Sequence, residues 1–119
     1  MFSLRGYNTF GIEAEARQFV EISSVEEYVS LRQKGDFSNL PHLFLGGGSN
    51  VLLTKPQEAL VVKISIPGIS VLKEDGDFVW LKSGAGVVWD ELVQYSVDRA
   101  WSGLENLSLI PGTVGAAPM

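Results

Sequence analysis

The residues best suited to chemistry lie in Leu45-Gly46-Gly47-Gly48-Ser49-Asn50-Val51-Leu52, directly after a short apolar run. Three consecutive glycines permit positive φ and remove every Cβ, so another group can come close to the backbone. Successive N–H groups can then converge on one point as an anion-binding nest. Ser49 and Asn50 add side-chain donors. A diphosphate, with several acceptor oxygens, suits such a loop. The pattern is neither Gly-x-Gly-x-x-Gly nor the lysine-bearing P-loop, and no clear helix signal follows it. A dinucleotide fold of the Rossmann kind and a nucleoside triphosphatase therefore fit poorly. The competing account is a flexible turn between strands. On the binding account, Gly47→Val obstructs the close approach and strains the backbone.

A second segment of the same character is Leu109-Ile110-Pro111-Gly112-Thr113-Val114-Gly115-Ala116-Ala117-Pro118. Pro111 fixes φ, while Gly112 and Gly115 allow freedom and close approach. Small side chains expose the backbone, so the segment can lie against a flat ring and hydrogen-bond its edge. Taken alone, the residues favour a tight loop packed on the core. The remaining candidates are weaker. His42 is the one histidine, beside Pro41, and reads as a surface loop residue. Ser83-Gly84-Ala85-Gly86 reads as a strand-to-helix turn rather than a second phosphate contact. Glu26-Glu27 and Asp90-Glu91 fall in helix first turns, where capping and the helix dipole account for them.

Composition narrows the classes. The 119 residues carry 9 Lys and Arg against 14 Asp and Glu, a net charge of −5 with histidine neutral. The acidic balance argues against a nucleic-acid surface. Cysteine is absent, which removes disulfides, thiolate nucleophiles, iron–sulfur clusters and thiolate zinc sites. An apolar fraction of 45% is that of a globular domain. No apolar run approaches the ~20 residues of a membrane helix, and the first residues lack the features of a signal peptide.

The elements that must position these segments follow from periodicity and punctuation. Gln18 to Ile22 is rich in β-formers. Ser23-Ser24-Val25-Glu26-Glu27 fits a capping box in either register and opens a helix that runs to near Gly35. Asp36 to Pro41 reads as a loop. Leu43-Phe44-Leu45 reads as a buried strand parallel to the first, giving a strand–helix–strand unit. Leu60 to Ile64 reads as a strand and Pro67-Gly68 as a turn. Asp75-Gly76 joins Ile69–Lys73 and Phe78–Lys82 as a tight hairpin, with Phe78 and Trp80 on its core face. From Val88 a helix carries Trp89, Leu92, Val93, Ser96, Val97 and Ala100 as an apolar stripe, with Trp89 in the core. The fold class is α+β, divided into an N-terminal lobe over 1–65 and the start of a second over 66–119.

Five motifs occur in one order: Asn8-Thr9-Phe10-Gly11-Ile12, the 45–52 loop, Gly84-Ala85-Gly86 with Trp89-Asp90-Glu91-Leu92-Val93, Gly103-Leu104-Glu105-Asn106-Leu107, and 110–118. Together they resemble the N-terminal part of the UDP-N-acetylenolpyruvoylglucosamine reductases, also called UDP-N-acetylmuramate dehydrogenases, over nearly the whole chain. Flavin domains of the vanillyl-alcohol-oxidase type share the glycine loop and the Pro-Gly segment, usually without the Asn-Thr-Phe-Gly start. The resemblance implies noncovalent FAD. It places the FAD diphosphate on Gly46, Gly47, Gly48, Ser49 and Asn50. Ile110, Pro111, Gly112, Thr113, Val114, Gly115, Ala116 and Ala117 would lie near flavin and diphosphate. It further implies NADPH as hydride donor, a UDP-sugar substrate and a place in cytoplasmic peptidoglycan precursor synthesis.

In that family the chain continues past Ala-Ala-Pro with Gln-Asn and a Gly-Ala-Tyr-Gly stretch. The catalytic arginine, proton-donating serine and glutamate come later still. The expectation is therefore a fragment that has no catalytic residue and, alone, no activity, and whose unfinished lobe favours self-association. A noncatalytic nucleotide-binding or interaction module, or a fragment of a related flavin oxidase, stands as the alternative. The reading frame beyond Met119 distinguishes them.

Overall fold

The computed structural model describes residues 1–117; Pro118, the last residue of the second segment, and Met119 lie outside the described residues. Four strands form a mixed sheet: β1 (Phe2–Ser3), β2 (Glu15–Ile22), β3 (His42–Leu45) and β4 (Gln57–Ile64). Their order is β1-β2-β4-β3, with β1 antiparallel to β2, and β2 and β3 both parallel to β4. β3 thus runs in the same direction as β2, as expected, but β4 lies between them. The reason is composition. Leu60, Val61 and Val62 of β4 are buried in succession, as a central parallel strand covered on both faces requires. In β3 only Leu45 is buried, which suits an edge.

Alternation along β4 divides the interior in two. Val61 packs with Leu4, Ala14, Ala16, Leu45 and Leu53 on one face. Leu60 and Val62 pack with Ile22 and Leu31 on the other. Helix α1 (Val25–Arg32) supplies Leu31. Its N-cap is Ser24, whose Oγ accepts from the Glu27 N–H at 3.1 Å. The Glu27 carboxylate reaches back to the Ser23 N–H at 2.7 Å, so the second capping register is the one used. The expected loop at 36–41 is instead largely a short helix, α2 (Gly35–Asn39). Phe37 and Leu40 hold it by packing on the Ile22–Leu31 cluster. A single turn is too short to show periodicity, so tertiary packing decided it. His42 is exposed as expected, though it opens β3 rather than sitting in a loop, and its ring stacks on Phe37 at 3.9 Å between centroids.

Strands β5 (Ile69–Glu74) and β6 (Val79–Ser83) form the hairpin, antiparallel. Its turn is closed by the Asp75 carboxylate, which accepts from the N–H groups of Asp77 at 2.9 Å and Phe78 at 2.8 Å. Phe78 and Trp80 are not core: they are 66% and 42% exposed. The alternation is real, but no layer packs on this two-stranded sheet within the described residues. Helix α3 (Trp89–Asp98) buries Leu92, Val93 and Ser96 and leaves Val97 and Ala100 exposed. Trp89 is half-buried rather than core, and its indole N–H donates to the Leu107 carbonyl at 2.8 Å. Beyond α3 the described residues form two single turns of 3-10 helix, at Glu105–Leu107 and Val114–Ala116.

Candidate functional site

The two glycine-bearing segments come together across a cleft of about 640 Å³. Gly46, Gly47, Gly48, Ser49 and Asn50 form one wall, following directly from the C-terminal end of β3. Ile110, Pro111, Gly112, Thr113, Gly115, Ala116 and Ala117 form the other. Val114, expected with them, is not on the wall; its N–H is tied to the Val87 carbonyl at 2.8 Å. Phe44, Leu45, Val51, Ile64 and Ala85 complete the lining. Among the described residues, no charged side chain lines the cleft.

The 46–50 loop is shaped from behind. Gly48 has φ +70, and a Cβ there would lie 2.0 Å from the Tyr7 carbonyl oxygen, so only glycine fits. The Thr9 N–H donates to the Gly48 carbonyl at 3.0 Å. Asn8, buried, holds that support in place. Its Nδ2 donates to the carbonyls of Leu4 at 2.8 Å and Ile12 at 3.0 Å, and its Oδ1 accepts from the Ile12 N–H at 3.0 Å. The Asn8–Ile12 motif thus works as a brace for the glycine loop. Gly46 allows the opposite wall to approach, since a Cβ would stand 2.7 Å from Thr113 Oγ1. Gly47 differs from expectation. Its φ is not positive, and a Cβ there would make ordinary van der Waals contact with Gly112 Cα at 3.8 Å and Thr113 Cγ2 at 3.9 Å on the opposite wall, so a small side chain fits without backbone strain.

Among the described residues, the N–H groups of Gly47, Gly48, Ser49 and Asn50 have no protein acceptor. The opposite wall is the reverse. The N–H groups of Val114, Gly115, Ala116 and Ala117 are spent on Val87, Ala85, Thr113 and Val114, at 2.8 to 3.2 Å. Only Gly112 and Thr113 keep donors in residues 112–117. The expectation that this segment would use its backbone on a ring edge is therefore restricted to those two. The wall is also pinned to α3: the Trp89 N–H donates to the Gly112 carbonyl at 2.9 Å, and the Leu109 N–H to Asp90 Oδ1 at 2.7 Å.

Ala85 is the lining residue that sequence reasoning passed over with a signal in view. The flanking glycines belong to a packed turn, as expected: Cβ atoms at Gly84 and Gly86 would lie 2.2 Å from the Ile66 oxygen and 2.5 Å from the Ser65 carbonyl carbon. Ala85 between them faces the cleft and carries Gly115, whose Cβ position lies only 2.8 Å from Ala85 Cβ. Phe44 and Ile64 carry no sequence signal of a site, because each sits within an apolar strand run.

A mixed α+β fold with a glycine-walled cleft and unspent backbone donors at a strand end has the chemistry that suits a phosphate-bearing ligand. Residues 16–119 match the FAD binding domain family, and the chain belongs to that family. It is 50% identical over 118 residues to the UDP-N-acetylenolpyruvoylglucosamine reductase of Flavobacterium johnsoniae, covering 99% of this chain and 34% of the relative. It is 47% identical over 116 residues to the reductase of the same name from Bacteroides fragilis, covering 98% of this chain and 35% of that one. Among solved structures, it is similar to the UDP-N-acetylenolpyruvylglucosamine reductase (MurB) of Thermus caldophilus, with a TM-score of 0.68 and 28% identity, over 97% of this chain and 39% of that chain. The chain spans about a third of the length of the curated relatives it matches.

The residues present fit FAD. The loop carries unspent donors suited to a diphosphate, and a Cβ at Gly46 or Gly48 would collide with Thr113 or Tyr7, so this loop shape depends on glycine at both positions.

Proposed function

We propose that this chain is the diphosphate-binding portion of a noncovalent FAD site in a reductase that converts UDP-N-acetylglucosamine enolpyruvate to UDP-N-acetylmuramate with NADPH, in cytoplasmic bacterial peptidoglycan precursor synthesis. The observation that carries the reading is the run of unspent N–H groups at 47–50 on a cleft without charged side chains. Residues 46–50 hold the diphosphate through backbone donors, with Ser49 and Asn50 adding side-chain contacts. Residues 110–113 and 115–117 form a fixed wall that orients the nucleotide and excludes water. Val114 locks that wall to the strand-to-helix turn. FAD supplies, when bound, hydride transfer between NADPH and the enolpyruvyl double bond.

The chain divides functionally into a lobe over 1–65 and the first part of a second over 66–119. The partner is a UDP-sugar; neither nucleic acid nor membrane takes part, and no described helix is long and apolar enough to cross one. None of these residues delivers the proton or stabilises the enolate, so the 119-residue chain alone shows no substrate-dependent NADPH oxidation. The exposed Phe78–Trp80 face favours self-association of the isolated chain.

Ligand competition tests the reading. In the full-length protein, ADP displaces FAD, whereas riboflavin, which lacks the diphosphate, binds far more weakly. Riboflavin binding as tight as FAD, with no competition by ADP, would remove the diphosphate assignment.

A further inference from the structure

The cleft would take a ligand with at least two negative charges, yet its lining has no cation and the protein is acidic overall. One cationic group outside the cleft lining reaches the glycine loop. Lys63, half-buried on β4, donates from Nζ to the Gly46 carbonyl at 2.7 Å. Among the described residues its ammonium has no carboxylate at ion-pair distance. The facing residue on β2, Glu21, is engaged elsewhere, accepting from the Ser65 hydroxyl at 2.7 Å.

We propose that Lys63 is a positioning residue for anion recognition: it fixes the Gly46–Gly47 peptide with the N–H toward the cleft and supplies the charge that the cleft wall lacks. This rests on the diphosphate reading above. The physical argument has three parts. The peptide is trans, so its carbonyl and N–H point in opposite directions; Lys63 lies outside the cleft lining while Gly47 is part of it, so a carbonyl turned to Lys63 favours a Gly47 N–H turned to the cleft. An ammonium on the carbonyl polarises the same peptide and makes its N–H a stronger donor. The charge itself acts on the bound anion across a half-buried, weakly screened path. Three adjacent glycines have no side chains to hold the peptide plane, so an external clamp is what selects one orientation.

The test measures FAD, ADP and riboflavin affinity in the full-length protein for wild type, Lys63→Met and Lys63→Arg, at low and high salt, with Gly47→Asp as reference. Gly47→Asp puts a carboxylate into the cleft at an unstrained position. Lys63→Met is expected to weaken FAD and ADP by about ten-fold, to leave riboflavin unchanged and to flatten the salt dependence. Lys63→Arg recovers most of the affinity and the salt dependence. In the ligand-free protein, the Gly47 amide resonance moves in Lys63→Met. Should Lys63→Met fail to fold, the same comparison is made with Lys63→Gln. Wild-type FAD and ADP affinity in Lys63→Met, with binding lost in Gly47→Asp, would overturn the role of Lys63 and leave the diphosphate site standing. Wild-type affinity in both variants would overturn the site as well.

Discussion

Gly47, Gly48, Ser49 and Asn50 keep their N–H groups free, while Val114, Gly115, Ala116 and Ala117, across the same cleft, spend theirs on the protein. Both walls are glycine-bearing, but the glycines serve different ends. On the first, Gly48 lets the loop fold tightly over Tyr7 and Asn8, and the loop is braced from outside through its carbonyls, by Thr9 and by Lys63. On the second, Gly115 lets the segment sit against Ala85, and the segment is fastened by its own N–H groups. A backbone anchored through its carbonyls has donors left for a ligand. One anchored through its N–H groups offers shape and little else.

The largest expected effect comes from Gly48→Ala. Left-handed backbone and a Cβ 2.0 Å from the Tyr7 oxygen act together, and the folded state loses about 3 kcal/mol or more in urea unfolding. Wild-type stability would mean that the loop is not held against Tyr7 and Asn8 as described. Next is Gly115→Ala, where the methyl must displace Ala85. It costs about 1–3 kcal/mol, and FAD affinity in the variant that remains folded falls less than for any change that blocks the 47–50 donors. A larger loss of FAD affinity than of stability would erase the distinction between the walls.

Gly47→Ala separates stability from binding. A methyl there makes only ordinary van der Waals contacts and the backbone is unstrained, so stability changes by about 0.5 kcal/mol or less, while the methyl stands beside the donor and FAD affinity falls several-fold by fluorescence titration. Unchanged affinity would show that the ligand stays clear of this peptide.

The smallest effect concerns pH. The Glu105 carboxyl is held below its usual value, first by its own backbone N–H and then by that of Gly103. Its folded pKa is depressed, so its contribution is present above the unfolded pKa and disappears as pH falls through the folded one. The group is fully exposed, so the effect on stability is slight. Its signature is local: on acidification, exchange protection corrected for the intrinsic rate falls around 103–107 before it does in α1, and Glu105→Gln removes that difference. Equal acid sensitivity in the two regions would contradict it.

Local chemistry made much of this legible. The hairpin followed from Asp75-Gly76, the start of α1 from Ser24 and Glu27, and α3 from the spacing of Leu92, Val93 and Ser96, because turns, caps and amphipathic stripes depend on residues within a few positions. Both walls of the cleft were visible as glycine-rich breaks after or between apolar runs. The five ordered motifs by themselves point to a flavin domain.

What residue types did not contain was the environment across the chain. Phe78 and Trp80 alternate as a core face does, and only the tertiary structure shows that nothing described packs on them. Gly47 and Gly48 are the same residue, and only the left-handed backbone of Gly48 and the nearness of Tyr7 make glycine indispensable at one and replaceable by a small residue at the other. The insertion of β4 between β2 and β3, the helix at Gly35–Asn39, the donors spent by 114–117 and the reach of Lys63 to Gly46 all arise from contacts between distant segments. The sequence by itself determined which segments could bend closely enough to form a cleft. The tertiary structure decided which of them still has hydrogen-bond donors to offer, because a backbone group remains free only if no other part of the chain has already taken it.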